Sequence, residues 1–135
     1  MAKEARDYSV TIVGSSKKDL TARERIMLKD TSGAQNLNDL VHDEQGIVIT
    51  PVAYAILDIH NSKATGGDTD YRQYLVMDDN GDRYITGSDS FFEAFSDIWG
   101  EMTDEDGQPS EVYSIRVYSL PSKNFAGRFL TCSIM

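Results

Sequence analysis

Aromatic rings and cations share rows along several β-like runs of this 135-residue sequence. Tyr74 falls on the same face as Arg72 by the alternation of a β-strand. Tyr118 shares a face with Arg116 in the same way, and Tyr54 lies in a row with polar neighbours. Exposed rings stack on the bases of single-stranded nucleic acid while cations follow its phosphates, each stack contributing roughly 1–3 kcal/mol. The pattern therefore predicts a surface for single strands.

Loop residues complete the predicted site. Phe125 follows Lys123 in a polar loop and has small, polar neighbours, so a core position does not explain it. The predicted nucleic-acid-binding residues are Tyr54, Lys63, Arg72, Tyr74, Arg116, Lys123 and Phe125. An N-terminal group of cations would extend the phosphate track: Arg23, Arg25 and Lys29. The alternative role for each tyrosine is to cover the surface of the sheet with its hydroxyl in water.

The charge of the chain is unevenly distributed. The formal net charge is −9, which by itself disfavours a polyanionic partner. Residues 78–111 hold eleven acids and one base, whereas residues 112–135 hold three bases and no acid. A folded domain of this sequence could therefore present a basic face opposite an acidic one. Binding to such a face would be modest in affinity and strongly dependent on salt.

Motifs of catalysis are missing from the sequence. It has no nucleophile elbow, no phosphate-binding glycine loop and no Cys/His cluster with metal spacing, so an enzyme is not expected. The single Cys132 lies in an apolar run, where we expect a packing residue and a reducing compartment. Residues 78–89 have part of the spacing of a calcium loop, but Arg83 stands where that loop needs glycine. We expect a hairpin tip there, with no metal and no cofactor.

The predicted elements are mainly strands. The expected strands and the one long helix are, in chain order, Tyr8–Val13, Arg23–Lys29, Ile47–His60, Tyr71–Met77, Asp82–Thr86, the helix Ser88–Met102, Glu111–Ser119 and Phe125–Met135. Asn80-Gly81 marks a tight hairpin, and Pro51 marks an edge or a bulge. A helical turn is expected around Leu37–Val41 within a polar loop, and Ser90 with Glu93 has the spacing of a capping box.

The order of three strands, one helix and two strands predicts the fold. It is the order of a five-stranded Greek-key barrel of the OB type, with the helix between strands three and four. Residues 1–135 are expected to form one such domain, with residues 1–20 as an extension made of an extra strand and a basic loop. No apolar stretch is long enough for a membrane span, and a signal peptide is not expected.

The chain resembles the small single-stranded DNA-binding proteins of tailed phages, in particular those that serve protein-primed DNA replication. The resemblance covers roughly residues 28–135 and depends on the order and spacing of several segments. These are the Gly33 loop, the strand from Gly46 through Ala55, the Asp79-Asn80-Gly81 hairpin followed by Tyr84, the acidic helix, the Tyr113–Val117 strand, the Ser122–Asn124 loop and the Phe129–Met135 strand. The terminal strand fits only with a one-residue shift around Gly127, which leaves the facing of Arg128 open.

The resemblance implies a non-enzymatic protein that coats and protects displaced strands without sequence preference. Single-stranded DNA would be its partner, together with replication proteins, in the cytoplasm of the host cell. Two alternatives remain open on the residues: a protein-interaction or virion-structural module without nucleic acid, and a calcium-dependent domain. The sequence does not decide between a monomer and a homodimer.

Overall fold

The computed structural model describes residues 8–61, 70–123 and 127–135, and strands dominate it. Its elements in chain order are β1 (Tyr8–Ser15), α1 (Ala22–Lys29), a 3-10 turn (Thr31–Gly33), β2 (Gln35–Asn36), α2 (Leu37–Leu40), β3 (Ile47–Ile49), β4 (Pro51–Asn61), β5 (Asp70–Asp78), β6 (Arg83–Thr86), α3 (Asp89–Met102), β7 (Ile115–Pro121) and β8 (Arg128–Ile134). The predicted mainly β architecture, with its long helix between the third and fourth main strands, is confirmed.

The strands form two sheets that share one run of chain. The larger sheet has the order β1-β4-β5-β6-β2, and the smaller has the order β3-β7-β8. Thr50 alone separates β3 from β4, so the predicted run Ile47–His60 contributes to both sheets. The register of β4 against β5 shifts between Pro51 and Ala53, which confirms the bulge expected at this proline.

The predicted closed barrel is not formed by the described residues. Closure would need β6 and β8 to pair, and they lie at separate places in two sheets. The helix α3 packs against β8 instead, and the Ser90 hydroxyl donates to the Leu130 carbonyl at 2.7 Å. A helix therefore lies along the edge that a closed barrel would pair.

Two hydrophobic cores lie on opposite faces of the larger sheet. The first lies between α3 and both sheets, and the second lies between the larger sheet and α1. Members of the first core include Ile49, Val76, Phe91, Phe95, Trp99, Ile115, Val117, Leu130 and the predicted packing residue Cys132. Members of the second are Leu28, Ala55, Leu57, Ile59, Leu75 and Ile85. The larger sheet is thus covered on both sides over part of its length.

The prediction of a strand at Arg23–Lys29 is wrong, because α1 occupies these residues. Thr21 caps the helix: its hydroxyl accepts the Glu24 N–H at 3.1 Å, and the Glu24 carboxylate accepts the Thr21 N–H at 2.9 Å. This reciprocal pair is a capping box, and it fixes the first helical turn. Only Leu28 of the helix is buried. The alternation of apolar and polar residues along Arg23–Lys29 therefore does not correspond to a strand with one buried face.

Other local predictions have mixed outcomes. The Asn80-Gly81 hairpin is confirmed, with Gly81 at φ +91°, and α2 confirms the helical turn around Leu37–Val41. The cap of the long helix is Ser88, two residues before the predicted Ser90, because the Ser88 hydroxyl accepts the Phe91 N–H at 3.2 Å. Because Ser90 does not cap the helix, its hydroxyl can donate to the Leu130 carbonyl of β8. Within the described ranges, no helix combines the length and apolarity that a membrane crossing requires.

Candidate nucleic-acid interface

One face of the three-stranded sheet is turned to solvent. Along β7 the residues Ile115, Val117 and Ser119 are buried, while Arg116 is exposed and Tyr118 is half-buried between them. Partners across a sheet point to the same side, so the register identifies the rest of this face. We call it the open face; its members are Val48, Arg116, Tyr118, Leu120, Phe129, Thr131 and Ser133.

Two aromatic rings lie on the open face. Tyr118 stands opposite Thr131, and its hydroxyl bonds to the Ser133 hydroxyl at 2.7 Å, so the ring leans along β8. Phe129 stands opposite Leu120 and is 39% exposed. The exposed part of the Phe129 ring is apolar surface that burial against a ligand would remove from water. The two rings offer flat apolar surfaces of the kind on which bases stack.

Two uncommitted cations accompany these rings. The Arg116 guanidinium, next along β7 from Tyr118, has no hydrogen-bond or ion-pair partner among the residues that the structure describes. Lys123 lies beyond the end of β7 in the loop to β8, is exposed, and is equally unpaired there. An unpaired cation can take a phosphate without first giving up a carboxylate.

A shallow groove of about 500 Å³ crosses the Arg116 end of the open face. Six of the described residues line the groove: Glu44, Arg116, Tyr118, Ser133, Ile134 and Met135. Arg116 supplies hydrogen-bond donors, Tyr118 an aromatic surface and Ser133 a hydroxyl. Glu44, the one acid among these six residues, lowers the local positive charge there.

The turn at Asp43–Gly46, just before β3, holds the entering chain close to β7. The Asp43 carboxylate accepts the N–H groups of Gln45 and Gly46, each at 3.0 Å. The bond from Gly46 lowers the pKa of Asp43 below its ordinary value. Gly46 has φ +58°, and a Cβ at this position would overlap the Val117 carbonyl. Only glycine allows the chain to pass so close to β7.

Acidic side chains of α3 lie on the other side of this sheet. Phe91, Phe95 and Trp99 of α3 share a core with Leu130 and Cys132, whose side chains point away from the open face. The helix is therefore behind the sheet, and so are its exposed acids Glu93, Asp97 and Glu101. The acids of α3 thus lie on one side of the three strands and Arg116 lies on the other.

Two rings of the predicted site are interior, which corrects their assignment as stacking surfaces. Tyr74 is 8% exposed, its ring stacks on Phe92, and its hydroxyl donates to Asp89 at 2.6 Å. Tyr54 is half-buried and meets Phe92, Phe95 and Trp99 edge to face, with centroids 5.3–5.7 Å apart. Alternation correctly placed both tyrosines on one face of the sheet. It could not show that α3 covers that face.

The predicted cations on and beside the larger sheet are either paired with an acid or distant from the open face. Arg72 holds Asp58 in an ion pair of 2.9 Å, and its hydrogen bond lowers the pKa of that carboxyl. The predicted track extension Arg23, Arg25 and Lys29 belongs to α1, which packs on the larger sheet and not on the open face. Arg128, whose facing the sequence left open, donates to the hydroxyl and carbonyl of Ser119 at 2.9 and 2.8 Å.

Of the predicted site, the structure places Arg116 on the open face and Lys123 in the loop that follows β7. Lys63 and Phe125 lie outside the described residues. Sequence reasoning missed Phe129 and left Tyr118 out of the site. The signal for Phe129 was present, because Leu130 and Cys132 are the apolar row of β8 and Phe129 alternates with them.

The calcium-like string forms a hairpin tip, as expected. The Asp78 carboxylate accepts the Thr50 N–H and the Asn80 N–H, both at 3.2 Å, and the Asn80 side chain accepts the Asp82 N–H at 2.9 Å. These side-chain oxygens accept hydrogen bonds from backbone N–H groups of the protein. No group of three or more potential metal ligands occurs in the described part of the chain.

Comparison with known proteins adds no family to this picture. The chain matches no family model, and no curated protein or solved structure matches it either.

Proposed function

We propose that the protein binds single-stranded DNA without sequence preference, through the open face of its three-stranded sheet. The observation that carries the proposal is that Tyr118, Phe129 and Arg116, which has no partner among the described residues, lie on one solvent-facing surface. Lys123, which is exposed in the loop after β7, would supply a second cation. Coating and protecting displaced strands during phage DNA replication is the role that this binding would serve.

The order of the strands identifies the surface that is available for binding. When β3 and β4 count as one bent strand, the neighbours run β6-β5-β4 and then β3-β7-β8, joined at Thr50. Apart from the outer strands β1 and β2, this is a five-stranded arrangement left open between β6 and β8, comparable to the partly open OB barrel. OB domains bind oligonucleotides on the face of their second and third β-strands, which here are β5 and β6. Both faces of that pair carry a core in this chain, so the open face of β3-β7-β8 is the available surface.

Titration with a labelled oligothymidylate tests the proposal directly. Fluorescence anisotropy of the oligonucleotide is the suitable signal, because Trp99 is 5% exposed and lies in the first core, away from any bound base. An oligomer of about 16 nucleotides covers the range of site sizes known for one OB domain. We expect binding at low salt that weakens steeply as salt is raised.

A matched pair of variants locates the site. Arg116→Gln and Arg72→Gln remove the same charge from two exposed arginines, one on the open face and one paired with Asp58 on the larger sheet. We expect Arg116→Gln to weaken binding about fivefold and Arg72→Gln to change it little, because only the first removes a phosphate contact. Equal effects of both variants, or no binding by the unmodified protein at low salt, would refute the proposal.

A protein-interaction module is the second candidate, and one observation favours it. Val48 is 50% exposed on the open face, and Ile134 and Met135 are 49% and 63% exposed beside it. An apolar surface of this kind also suits another protein. Association driven by these residues would respond little to salt, whereas binding to phosphates would not survive it. The salt series of the titration therefore separates the two candidates.

A further inference from the structure

The two sheets have four outer strands, and three of them are short or covered. β2 has two residues, and β3 has three and continues directly into β4. β8 has its Leu130 carbonyl bonded by Ser90 of α3. β1 has eight residues, pairs with β4 on one side, and has no strand on its other side among the described residues. β1 is therefore the long unprotected edge of this structure.

β1 has little of the usual protection of an edge strand. Natural sheets block free edges with charged side chains, proline, bulges or very short strands. Tyr8–Ser15 contains no charged residue and no proline. Its one irregularity is a shift of register between Ile12 and Gly14, which leaves Tyr8–Ile12 as a regular, uncharged stretch. On the side away from β4, the backbone of this stretch has no hydrogen-bond partner among the described residues, so it is available to another strand.

We propose that two copies of the chain associate through antiparallel pairing of their β1 edges, about a twofold axis at Val10. This register places Val10 opposite Val10 of the other copy. Tyr8 of each copy then faces Ile12 of the other, and Ser9 faces Thr11. Aromatic with β-branched pairs and pairs of hydroxyl residues are favourable neighbours across antiparallel strands. The association would join two five-stranded sheets into one continuous sheet.

The surrounding structure favours a second copy as the occupant. Val10 and Ile12 point to the second core, beside Leu57 and Ile59, so the new pairs would extend that core across the axis. Tyr8 is 42% exposed and would gain a cover from Ile12 of the other copy. The stretch is complementary to itself in shape and polarity, and a twofold contact closes on itself without forming a filament.

Salt distinguishes this association from the proposed DNA binding. Each copy carries a net charge of −9, so two copies repel each other and the contact itself contains no ion pair. Screening the repulsion should strengthen the dimer as salt is raised. Binding to phosphates weakens under the same change. The opposite responses to salt allow the dimer and the DNA binding to be tested independently of each other.

Sedimentation equilibrium at high micromolar protein tests the proposal. We expect a mass of twice 15.1 kDa, with tighter association at higher salt. The double variant S9K/T11K places two like-charged pairs in the contact and should be monomeric; S9E/T11E should be monomeric for the same reason. Mixing the two variants should restore the dimer, because each lysine then faces a glutamate. Restoration also shows that both variants are folded.

A control variant carries the same added charge elsewhere. Q35K/Q45K changes two exposed residues outside β1 and should remain dimeric. The proposal is overturned if the unmodified protein sediments as a monomer at low and high salt. It is also overturned if S9K/T11K remains a dimer, or if its mixture with S9E/T11E stays monomeric.

Discussion

Tyr74 and Phe92 lie with their rings parallel, the centroids 4.2 Å apart and the planes inclined by 6°. The stack joins β5 of the larger sheet to α3. The Tyr74 hydroxyl extends past Phe92 to donate to Asp89, the first residue of the same helix, at 2.6 Å. One side chain thus holds α3 by an apolar and a polar contact, which a pair of substitutions can separate.

Tyr74→Phe should lower the free energy of unfolding by about 1 kcal/mol, because it removes the hydrogen bond to Asp89 and keeps the ring. Tyr74→Ala should cost about 3–5 kcal/mol, because it also leaves a cavity beneath α3. Urea denaturation measures both values. The affinity of Tyr74→Phe for oligothymidylate should not change, and a large loss of affinity would return Tyr74 to the binding site.

The Tyr113 hydroxyl is a buried polar group without a hydrogen-bond partner among the described residues. An unsatisfied buried hydroxyl costs about 1–3 kcal/mol. Tyr113→Phe should therefore stabilise the protein by about 1 kcal/mol, in contrast to Tyr74→Phe. Thermal denaturation of the two variants side by side checks the sign. A destabilised Tyr113→Phe would mean that the hydroxyl has a partner such as a bound water.

Alkaline pH should destabilise the protein through these same two tyrosines. Burial raises the pKa of Tyr113 to about 12, and burial together with Asp89 raises the pKa of Tyr74 to about 12. An unfolded tyrosine titrates near 10. The folded state therefore holds these protons longer, and the stability they contribute is complete below pH about 10 and is lost as the pH rises toward 12. Urea denaturation across this range measures the loss, which should be smaller in either Phe variant.

Asp78 connects the hairpin tip to the junction between the sheets. Its carboxylate accepts the N–H of Thr50, the residue that separates β3 from β4. Asp78→Ala should cost about 1–3 kcal/mol, because the Thr50 and Asn80 N–H groups lose their acceptor. Asp79→Asn is the matched control at the exposed neighbour, whose pKa is raised by Asp78. The control should be neutral or slightly stabilising, and an equal loss in both variants would contradict the role of Asp78.

Ring substitutions on the open face should separate stacking from hydrogen bonding. Phe129→Ala and Tyr118→Ala should each weaken oligothymidylate binding, since a base stack contributes roughly 1–3 kcal/mol. Tyr118→Phe retains the ring and loses only the bond to Ser133, so it should bind almost as the unmodified protein does. Anisotropy titration at low salt measures all three. Full affinity in both alanine variants would remove stacking from the proposed function.

Local patterns of the sequence predicted the elements better than their arrangement. Asn80-Gly81 identified its hairpin and Pro51 its bulge, because both depend on the backbone preferences of one or two residues. The segment Arg23–Lys29 was assigned to the wrong element. Its alternation was compatible with a strand, and the capping pair Thr21 and Glu24 that identifies a helix lies partly before it.

The candidate site was predicted in part, for a physical reason. Alternation assigns side chains to the two faces of a strand, and it does so correctly for Tyr74 and Arg116. It does not state which face another element covers. Helix α3 covers the face of Tyr74, whereas no described element covers that of Arg116. Such coverage depends on contacts between residues distant in sequence.

The single residue between β3 and β4 has a consequence for how the protein unfolds. One stretch of backbone belongs to both sheets, so the unfolding of either sheet should displace the strand that the other sheet needs. The two cores should therefore be lost in one cooperative transition, with no stable half-folded form. Amide hydrogens of β5 and β7 should then exchange with a common free energy of opening.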